Sequence, residues 1–176
     1  TGKSTLARRL AERAGFEVID TDEVRKELAG VDPGTDAGGG FEGGIYTSAW
    51  SDRTYEACRQ RADALLRAGE RVLVDGTFWG EERRLRFLQL ADLRDIPLVA
   101  LECQTPRPEV RRRLADRRGD VSDADWSIYT AIADRWEAYG ERTGQVRRVV
   151  DTGGAVEEGV DQALGILEEQ GLWSDQ

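Results

Sequence analysis

The first five residues of the chain carry groups that bind phosphate. Thr1-Gly2-Lys3-Ser4-Thr5 fits the second half of the pattern G-x-x-x-x-G-K-[ST]. In that pattern, backbone N–H groups and the positive end of the following helix surround a phosphate. Lys3 would reach the β- and γ-phosphates, the Ser4 hydroxyl would bind Mg²⁺, and Thr5 would touch an earlier phosphate. The spacing therefore predicts that Gly2, Lys3, Ser4 and Thr5 bind a nucleotide with its magnesium ion.

The residues after this motif have the pattern of an amphipathic helix. Leu6 and Leu10 are four positions apart and would share one face. An ordinary helix start, capped by Ser4 or Thr1, is the alternative interpretation. The first glycine of the motif and the strand before it would both precede residue 1. We therefore expect the chain to be a piece of a longer protein.

Asp22 and Arg25 form the second candidate pair. They lie three residues apart in the segment Asp20-Thr21-Asp22-Glu23-Val24-Arg25, on one side of a predicted first helical turn. A carboxylate at this position could accept the proton of an attacking hydroxyl, and the arginine could hold an acceptor or a phosphoryl group. Plain capping of the helix by Asp20 and Glu23 is the alternative. The two interpretations are compatible, with Asp20 as the cap and Asp22 as the base.

Asp75 ends the hydrophobic run Val72-Leu73-Val74 and is followed by Gly76. A carboxylate at the end of a buried strand, next to a phosphate-binding loop, is typical of a residue that orients Mg²⁺. A simple turn at Asp-Gly is the alternative. The magnesium interpretation depends on the pairing of Asp75 with Lys3 and Ser4.

Six arginines fall between residues 107 and 118. Arg113 and Arg117 are four positions apart and would share one face of a helix. We predict that they clamp phosphates when a lid of about residues 111–125 closes. A solvated basic helix face, paired with neighbouring acids, is the alternative.

The elements that position these residues alternate between helix and strand. The predicted strands are 17–20, 71–75, 97–103 and 146–150. The predicted helices are 3–14, 22–29, 51–68, 81–94, 105–118, 122–140 and 155–169. Continuous apolar strands between helices predict an α/β fold, with a parallel sheet covered on both faces and a site at the carboxyl ends of its strands. The glycine-rich stretch of about residues 30–50 is a candidate acceptor-binding segment.

Composition restricts the classes of function. The chain has 176 residues, which predicts a single domain over 1–176, and its net charge of −9 disfavours nucleic acid as a partner. Histidine is absent, so acid–base chemistry would depend on carboxylates. No apolar run approaches the roughly 18 residues of a membrane span. The two cysteines, Cys58 and Cys103, lack metal or redox spacing, and we expect a cytoplasmic protein.

Taken together, the motifs resemble those of a small P-loop kinase-like family of predicted kinases and ATP-binding proteins. The resemblance rests on six motifs and their order: GKSTLARRL, VIDTDEVRKEL, GGIY with SDRTY, VLVDGTF, the R-x-x-x-R of Arg113 and Arg117, and SDAD. Relatives include gluconate kinases, chloramphenicol phosphotransferases, zeta toxins and 5′-hydroxyl polynucleotide kinases. Some members follow an aminoglycoside-phosphotransferase-like domain, which makes an upstream domain an expectation here.

The resemblance implies a P-loop NTPase fold, a three-layer αβα sandwich with a helical lid and a central first strand that this chain lacks. It implies that Asp22 is the base, that Arg25 contacts substrate or phosphate, and that Arg113 and Arg117 belong to the lid. It places Asp151 and Thr152 near the adenine.

The predicted function is transfer of the γ-phosphoryl group of ATP to a hydroxyl of a small molecule, with Mg²⁺. A 5′-hydroxyl polynucleotide kinase and a non-catalytic ATP-binding regulatory module remain as alternatives, and GTP in place of ATP stays open. A hydrolase is disfavoured, because no glutamine or glutamate that would position water is evident beside the loop.

Overall fold

A computed structural model describes residues 2–31, 47–116 and 126–174. Most of the candidate acceptor-binding segment 30–50 lies outside these ranges, as do residues 117–125 of the expected lid. Arg117 is among the residues outside the description, and so is the SDAD motif.

Helices and strands alternate through the described ranges, as the sequence predicts. The helices are α1 Lys3–Ala14, α2 Thr21–Ala29, α3 Ser48–Arg67, α4 Glu81–Arg94, α5 Arg107–Asp116, α6 Trp126–Asp134, α7 Glu141–Val146 and α8 Val156–Glu169. The strands are β1 Glu17–Asp20, β2 Val72–Asp75, β3 Ala100–Gln104 and β4 Arg147–Asp151.

The strands form two parallel pairs, which confirms the predicted parallel arrangement. β1 pairs with β2, and β3 pairs with β4. In the described residues no hydrogen-bonded ladder joins one pair to the other. An opening of about 950 Å³ is lined by apolar residues of both pairs, among them Leu73 and Leu101.

Two apolar clusters hold the helices against the strands. One joins α1, α8 and β4 through Leu6, Leu10, Val150, Val160 and Leu164, all of them buried. The other joins β1, α2, α3 and α4 through Ile19, Val24, Cys58 and Leu90. Helices therefore pack on both strand pairs.

The region around residues 122–140 differs from its prediction. α6 ends at Asp134 instead of continuing to Gly140, and a separate, unpredicted helix, α7, begins at Glu141 with Gly140 as its N-cap. The buried side chain of Arg84 explains the interruption, because its Nη2 donates to the carbonyls of Glu137 at 2.7 Å and Ala138 at 3.0 Å. These carbonyls bond to a side chain rather than to helical N–H groups.

Smaller differences occur at two element starts. α3 begins at Ser48, three residues before the predicted start, because the Thr47 hydroxyl accepts a hydrogen bond from the Trp50 amide and caps the helix. β3 begins at Ala100 rather than at Pro97. Proline has no N–H to donate to a strand ladder, so a later start is physically reasonable.

Candidate functional site

Lys3, Ser4 and Asp75 come together where α1 begins and β2 ends. The Ser4 hydroxyl donates a hydrogen bond to the carboxylate of Asp75, and the charge of Lys3 acts on the same carboxylate. Ser4 and Thr5 are exposed, whereas Asp75 is buried. The predicted pairing of the loop residues with the strand-end aspartate is therefore present in the structure.

Asp75 sits in an environment that disfavours its ionised form. Burial raises the pKa of its carboxyl, although the charge of Lys3 and the hydrogen bond from Ser4 oppose the shift. A bound cation would supply further positive charge beside this carboxylate. The hydroxyl and carboxylate oxygens at this point are ligands of the type that Mg²⁺ prefers.

Gly2 occupies a position that only glycine adopts easily. Its φ of 91° lies in the left-handed region, immediately before the first turn of α1. A Cβ built on Gly2 would lie 3.1 Å from Cβ of Thr152. The start of α1 and the segment after β4 are thus in close contact, and a side chain at residue 2 would separate them.

Asp151 and Thr152 form that segment after β4. The Thr152 hydroxyl lies 2.8 Å from the Thr105 hydroxyl and donates a hydrogen bond to the carbonyl of Gln104 at 3.1 Å. Asp151 Oδ1 accepts a hydrogen bond from the Gly153 amide at 2.7 Å. The ends of β3 and β4 are therefore joined beside the start of α1.

Arg113 contacts the same segment rather than standing open to solvent. Its Nη1 donates to the Thr152 carbonyl at 2.7 Å, and its Nη2 donates to the Gly153 carbonyl at 3.1 Å. Its Nε is held by Glu109 at 2.6 Å. In this arrangement Arg113 supports the loop after β4. The predicted face shared with Arg117 falls outside the described residues.

Asp20 caps α2, as predicted. Its Oδ1 accepts from the Asp22 amide at 2.7 Å and from the Glu23 amide at 3.3 Å. Asp22 is the second residue of α2, and its Oδ2 lies 3.6 Å from Nζ of Lys26, a lysine that is 1% exposed. Since Asp20 and Asp75 are partners in the β1–β2 register, α2 begins at the end of the strand that neighbours the one ending at Asp75.

Arg25 reaches from α2 to the first turn of α3. The residue is 8% exposed, and its Nη1 donates to the Ser51 hydroxyl at 3.2 Å. Asp22 and Arg25 are thus on the same helix at the carboxyl edge of β1. Both residues therefore lie in one helix, three positions apart, as the sequence predicts.

Two residues near this edge were not singled out from the sequence. Tyr55, buried in α3, accepts a hydrogen bond from the Phe78 amide at 3.0 Å, and Phe78 has a φ of 47°. Arg83 lies buried in the first turn of α4. For Arg83, the sequence offered one signal: in the VLVDGTFWGEERR stretch, two arginines follow a strand end within ten residues.

The family model for an AAA domain matches residues 1–138. The chain belongs to this family. The fold is that of the P-loop kinase-like proteins, and the resemblance predicted from the motifs is confirmed. None of the helices in the described ranges combines the length and the apolar character needed to cross a membrane.

Curated relatives extend well beyond this chain. Uncharacterized proteins of Mycobacterium tuberculosis and Mycobacterium bovis are 34% identical over 169 residues. The match covers 94% of the chain and 32% of the relatives, so the chain spans about a third of their length.

Several solved structures that resemble the chain are described as kinases. A sugar kinase from Janibacter has a TM-score of 0.69 at 18% identity, covering 99% of this chain and 92% of its own. A gluconokinase from Sinorhizobium meliloti has a TM-score of 0.63 at 20% identity, and the match covers 96% of this chain and 86% of the gluconokinase. The Mycobacterium tuberculosis APS kinase, in complex with AMPPNP and APS, has a TM-score of 0.59 at 21% identity, covering 95% and 91%. At these identities the likeness establishes the fold.

Proposed function

We propose that the protein transfers the γ-phosphoryl group of ATP to a hydroxyl of a small molecule. The observation that carries the proposal is the meeting of Lys3 and Ser4 with the buried Asp75, one strand away from the start of the helix that bears Asp22. The phosphate-binding group would thus lie beside the end of β2, and the candidate base would lie on the helix that follows β1, the neighbouring parallel strand. The structural likeness to small-molecule kinases supports the same activity.

The nucleotide would be held by the first turn of α1. The N–H groups there, with Lys3, would bind the phosphates, and Thr5 would add a hydroxyl contact. Ser4 and Asp75 would hold Mg²⁺, directly or through water. Bound there, the ion would neutralise charge on the phosphate oxygens during transfer.

The acceptor would lie against α2. Asp22 would orient the acceptor hydroxyl and take its proton as the new O–P bond forms and the bond to the departing ADP breaks. Arg25 would hold the acceptor or the travelling phosphoryl group. Asp22 Oδ2 lies 3.6 Å from Nζ of Lys26 on the same helix, so the two side chains form an ion pair beside the proposed acceptor position.

The remaining predicted residues would act around the nucleotide. Asp151 and Thr152 would lie near the adenine of the nucleotide, since their segment touches Gly2. Arg113 and Arg117 are proposed to stabilise transferred charge on closure. For Arg113, this would require release of the carbonyls that it holds in the present arrangement.

The decisive experiment is a label-transfer assay on the full-length protein with γ-labelled ATP and Mg²⁺. The acceptors would be pooled sugars, sugar acids, aminoglycosides, nucleosides, amphenicols and a 5′-hydroxyl oligonucleotide. We expect transfer to one class of small molecule. Asp22→Asn should reduce the rate by about 100-fold to 10,000-fold. Asp161→Asn, which alters an exposed acid on α8, serves as the control and should retain full activity.

Two results would contradict the proposal. Transfer to the oligonucleotide alone would identify a polynucleotide kinase. ATP binding without transfer to any acceptor would favour a regulatory nucleotide-binding module. Full activity of Asp22→Asn would leave the kinase in place and remove the assignment of the base.

A further inference from the structure

Two neighbouring segments of the chain meet at the hydroxyl of Tyr55, a residue of α3 that is 5% exposed. The hydroxyl accepts a hydrogen bond from the Phe78 amide at 3.0 Å. A Cβ built on Gly76 would lie 3.1 Å from the same hydroxyl oxygen and 2.8 Å from Cγ2 of Thr21. The backbone at Gly76 therefore packs closely against both the Tyr55 hydroxyl and the first residue of α2.

The turn after β2, residues 76–78, contains a strained backbone. Phe78 has a φ of 47°, in the left-handed region that a bulky side chain rarely adopts. Its amide donates to Tyr55, and its carbonyl accepts a hydrogen bond from Nη1 of Arg84 at 3.3 Å. Its ring also meets the rings of Tyr55 and Phe87 edge-on, with centres 5.0 Å and 5.2 Å away. Strain of this kind persists where the surrounding contacts determine the conformation, and it is concentrated at functional sites.

Each of the two segments that meet at Tyr55 adjoins a residue of the proposed site. Gly76 follows Asp75, the carboxylate proposed to hold Mg²⁺, and Thr21 precedes Asp22, the proposed base. β1 and β2 pair in parallel, so Asp75 and the start of α2 lie at the same end of the pair. The Tyr55 hydroxyl is therefore located where the end of β2 contacts the helix that bears the base.

The turn 76–78 also forms part of the wall of the opening described above. Residues 75–78 line that opening together with Lys3 and Ser4 of the phosphate-binding motif. The Asp75 carboxylate accepts a hydrogen bond from the Ser4 hydroxyl. A displacement of the turn would therefore move the carboxylate relative to the hydroxyl with which it would share the metal ion.

The hydroxyl of Tyr55 has the chemistry that holding this turn requires. Burial raises the pKa of the phenol above its ordinary value of 10.0, although the hydrogen bond from Phe78 and the charge of Arg83 oppose the rise. The group therefore stays neutral at physiological pH, and its oxygen accepts the Phe78 amide proton. A phenylalanine would keep the ring on which Arg83 stacks at 5.0 Å, but it would remove this acceptor.

We propose that Tyr55 is a positioning residue for the phosphotransfer. Its hydroxyl holds the turn 76–78, and through that turn it sets the place of the Asp75 carboxylate relative to the helix that carries Asp22. This inference rests on the proposed function. Tyr55 would touch neither nucleotide nor acceptor, so loss of its hydroxyl would change the metal dependence and the rate rather than acceptor binding.

Tyr55→Phe in the full-length protein tests this role in the label-transfer assay at a series of Mg²⁺ concentrations, at a temperature below the unfolding transition. We expect the Mg²⁺ concentration for half-maximal rate to rise by about tenfold or more, and kcat at saturating Mg²⁺ to fall by about tenfold. The KM of the acceptor should change by less than about threefold. A tyrosine that serves only packing would lower the thermal unfolding midpoint and leave the Mg²⁺ dependence and kcat unchanged, and that result would overturn the inference.

Tyr139→Phe is the matched control. The Tyr139 hydroxyl donates a hydrogen bond to Glu102 on β3, so this variant also loses one hydroxyl contact and keeps its ring. We expect it to retain the Mg²⁺ dependence and the kcat of the wild type. An equal rise of the Mg²⁺ requirement in both variants would assign the effect to a general loss of stability and would contradict the positioning role.

A double-mutant cycle with Asp75→Asn shows whether Tyr55 acts through Asp75. If it does, Tyr55→Phe should raise the Mg²⁺ requirement by about tenfold in the wild-type background and by less than about twofold in the Asp75→Asn background. The same rise in both backgrounds would mean that Tyr55 acts by another route, and it would remove the inference.

A binding measurement separates this inference from the kinase proposal. AMPPNP would be titrated by calorimetry into the wild type, Tyr55→Phe and Tyr139→Phe, once with Mg²⁺ and once with EDTA. We expect the factor by which Mg²⁺ strengthens AMPPNP binding to be about tenfold smaller in Tyr55→Phe alone. That result without phosphotransfer to any acceptor would sustain the role of Tyr55 at the metal site and remove the proposed function. An equal effect of Mg²⁺ in all three proteins would remove the role of Tyr55, whether or not the protein is a kinase.

Discussion

The Ser4 hydroxyl donates a hydrogen bond to the buried carboxylate of Asp75, across the boundary between α1 and β2. This bond brings together two residues that lie seventy-one positions apart in the sequence and come from separate motifs. Lys3 adds its positive charge on the same side. The groups proposed to bind phosphate and magnesium therefore lie together, at the start of α1 and the end of β2.

Asp75→Asn should separate stability from activity. Because burial raises the pKa of this carboxyl above its ordinary value of 3.8, the ionised form is disfavoured in the folded protein. Compared with the Asn variant, the wild type is therefore most stable below pH 3.8, where Asp75 is protonated. This relative stability is lost as the pH rises through the pKa of Asp75 in the folded protein. At pH 7 the neutral variant should be the more stable protein, by a difference that is absent at low pH.

The measurement for Asp75→Asn is chemical unfolding of both proteins at several pH values, with the activity assayed at neutral pH. The rate should fall by about 10-fold to 100-fold, and excess Mg²⁺ should recover part of it if the variant binds the ion more weakly. A variant that is less stable than the wild type at pH 7 would contradict this account of Asp75.

Arg113→Gln tests what the contacts of Arg113 with the loop after β4 contribute. Loss of the hydrogen bonds to the Thr152 and Gly153 carbonyls should loosen that loop and raise KM for ATP by about tenfold, with a smaller effect on kcat. Arg112→Gln is the control, because Arg112 also pairs with Glu109 but is exposed. A fall in kcat at unchanged KM would instead support the predicted phosphate-clamping role.

Glycine substitutions test the close packing behind the site. A Cβ at Gly76 would lie 2.8 Å from Cγ2 of Thr21 and 3.1 Å from the Tyr55 hydroxyl. Gly76→Ala should therefore destabilise the protein by about 1–3 kcal/mol. Gly165→Ala is the matched control, since a Cβ there meets nothing within 4 Å and Gly165 lies inside α8. It should stabilise the fold by about 0.5–1 kcal/mol. Thermal unfolding of both variants would check the opposite signs.

Sequence alone predicted the elements with strong local signals. α1, β1, α4 and the capping of α2 by Asp20 follow from periodicity and from cap residues within a few positions of each other. The pairing of Asp75 with Lys3 and Ser4 was also predicted, because a carboxylate at the end of a buried strand is typical beside a phosphate-binding loop.

The remaining features depend on contacts that are distant in sequence. The interruption after Asp134 follows from Arg84, which lies more than fifty residues earlier and takes the carbonyls of Glu137 and Ala138. Arg83 and Arg86 are indistinguishable in a run of charged helical residues, yet one is buried between rings and the other is on the surface. No local pattern carries that difference.

The pair of Glu102 and Arg147 joins β3 to β4 and gives a pH-dependent prediction. The guanidinium of Arg147 lies 2.7 Å from Oε2 of Glu102 and holds the pKa of that carboxyl at about 2, below its ordinary value of 4.5. Because the folded pKa is depressed, the stabilisation is present above pH 4.5 and is lost as the pH falls through about 2. Glu102→Gln should therefore lower the free energy of unfolding by about 1–2 kcal/mol at pH 7, after allowance for partial exposure of Arg147. Urea unfolding at several pH values should show the two proteins converging toward pH 2, and a constant difference across the range would exclude the ion pair as the cause.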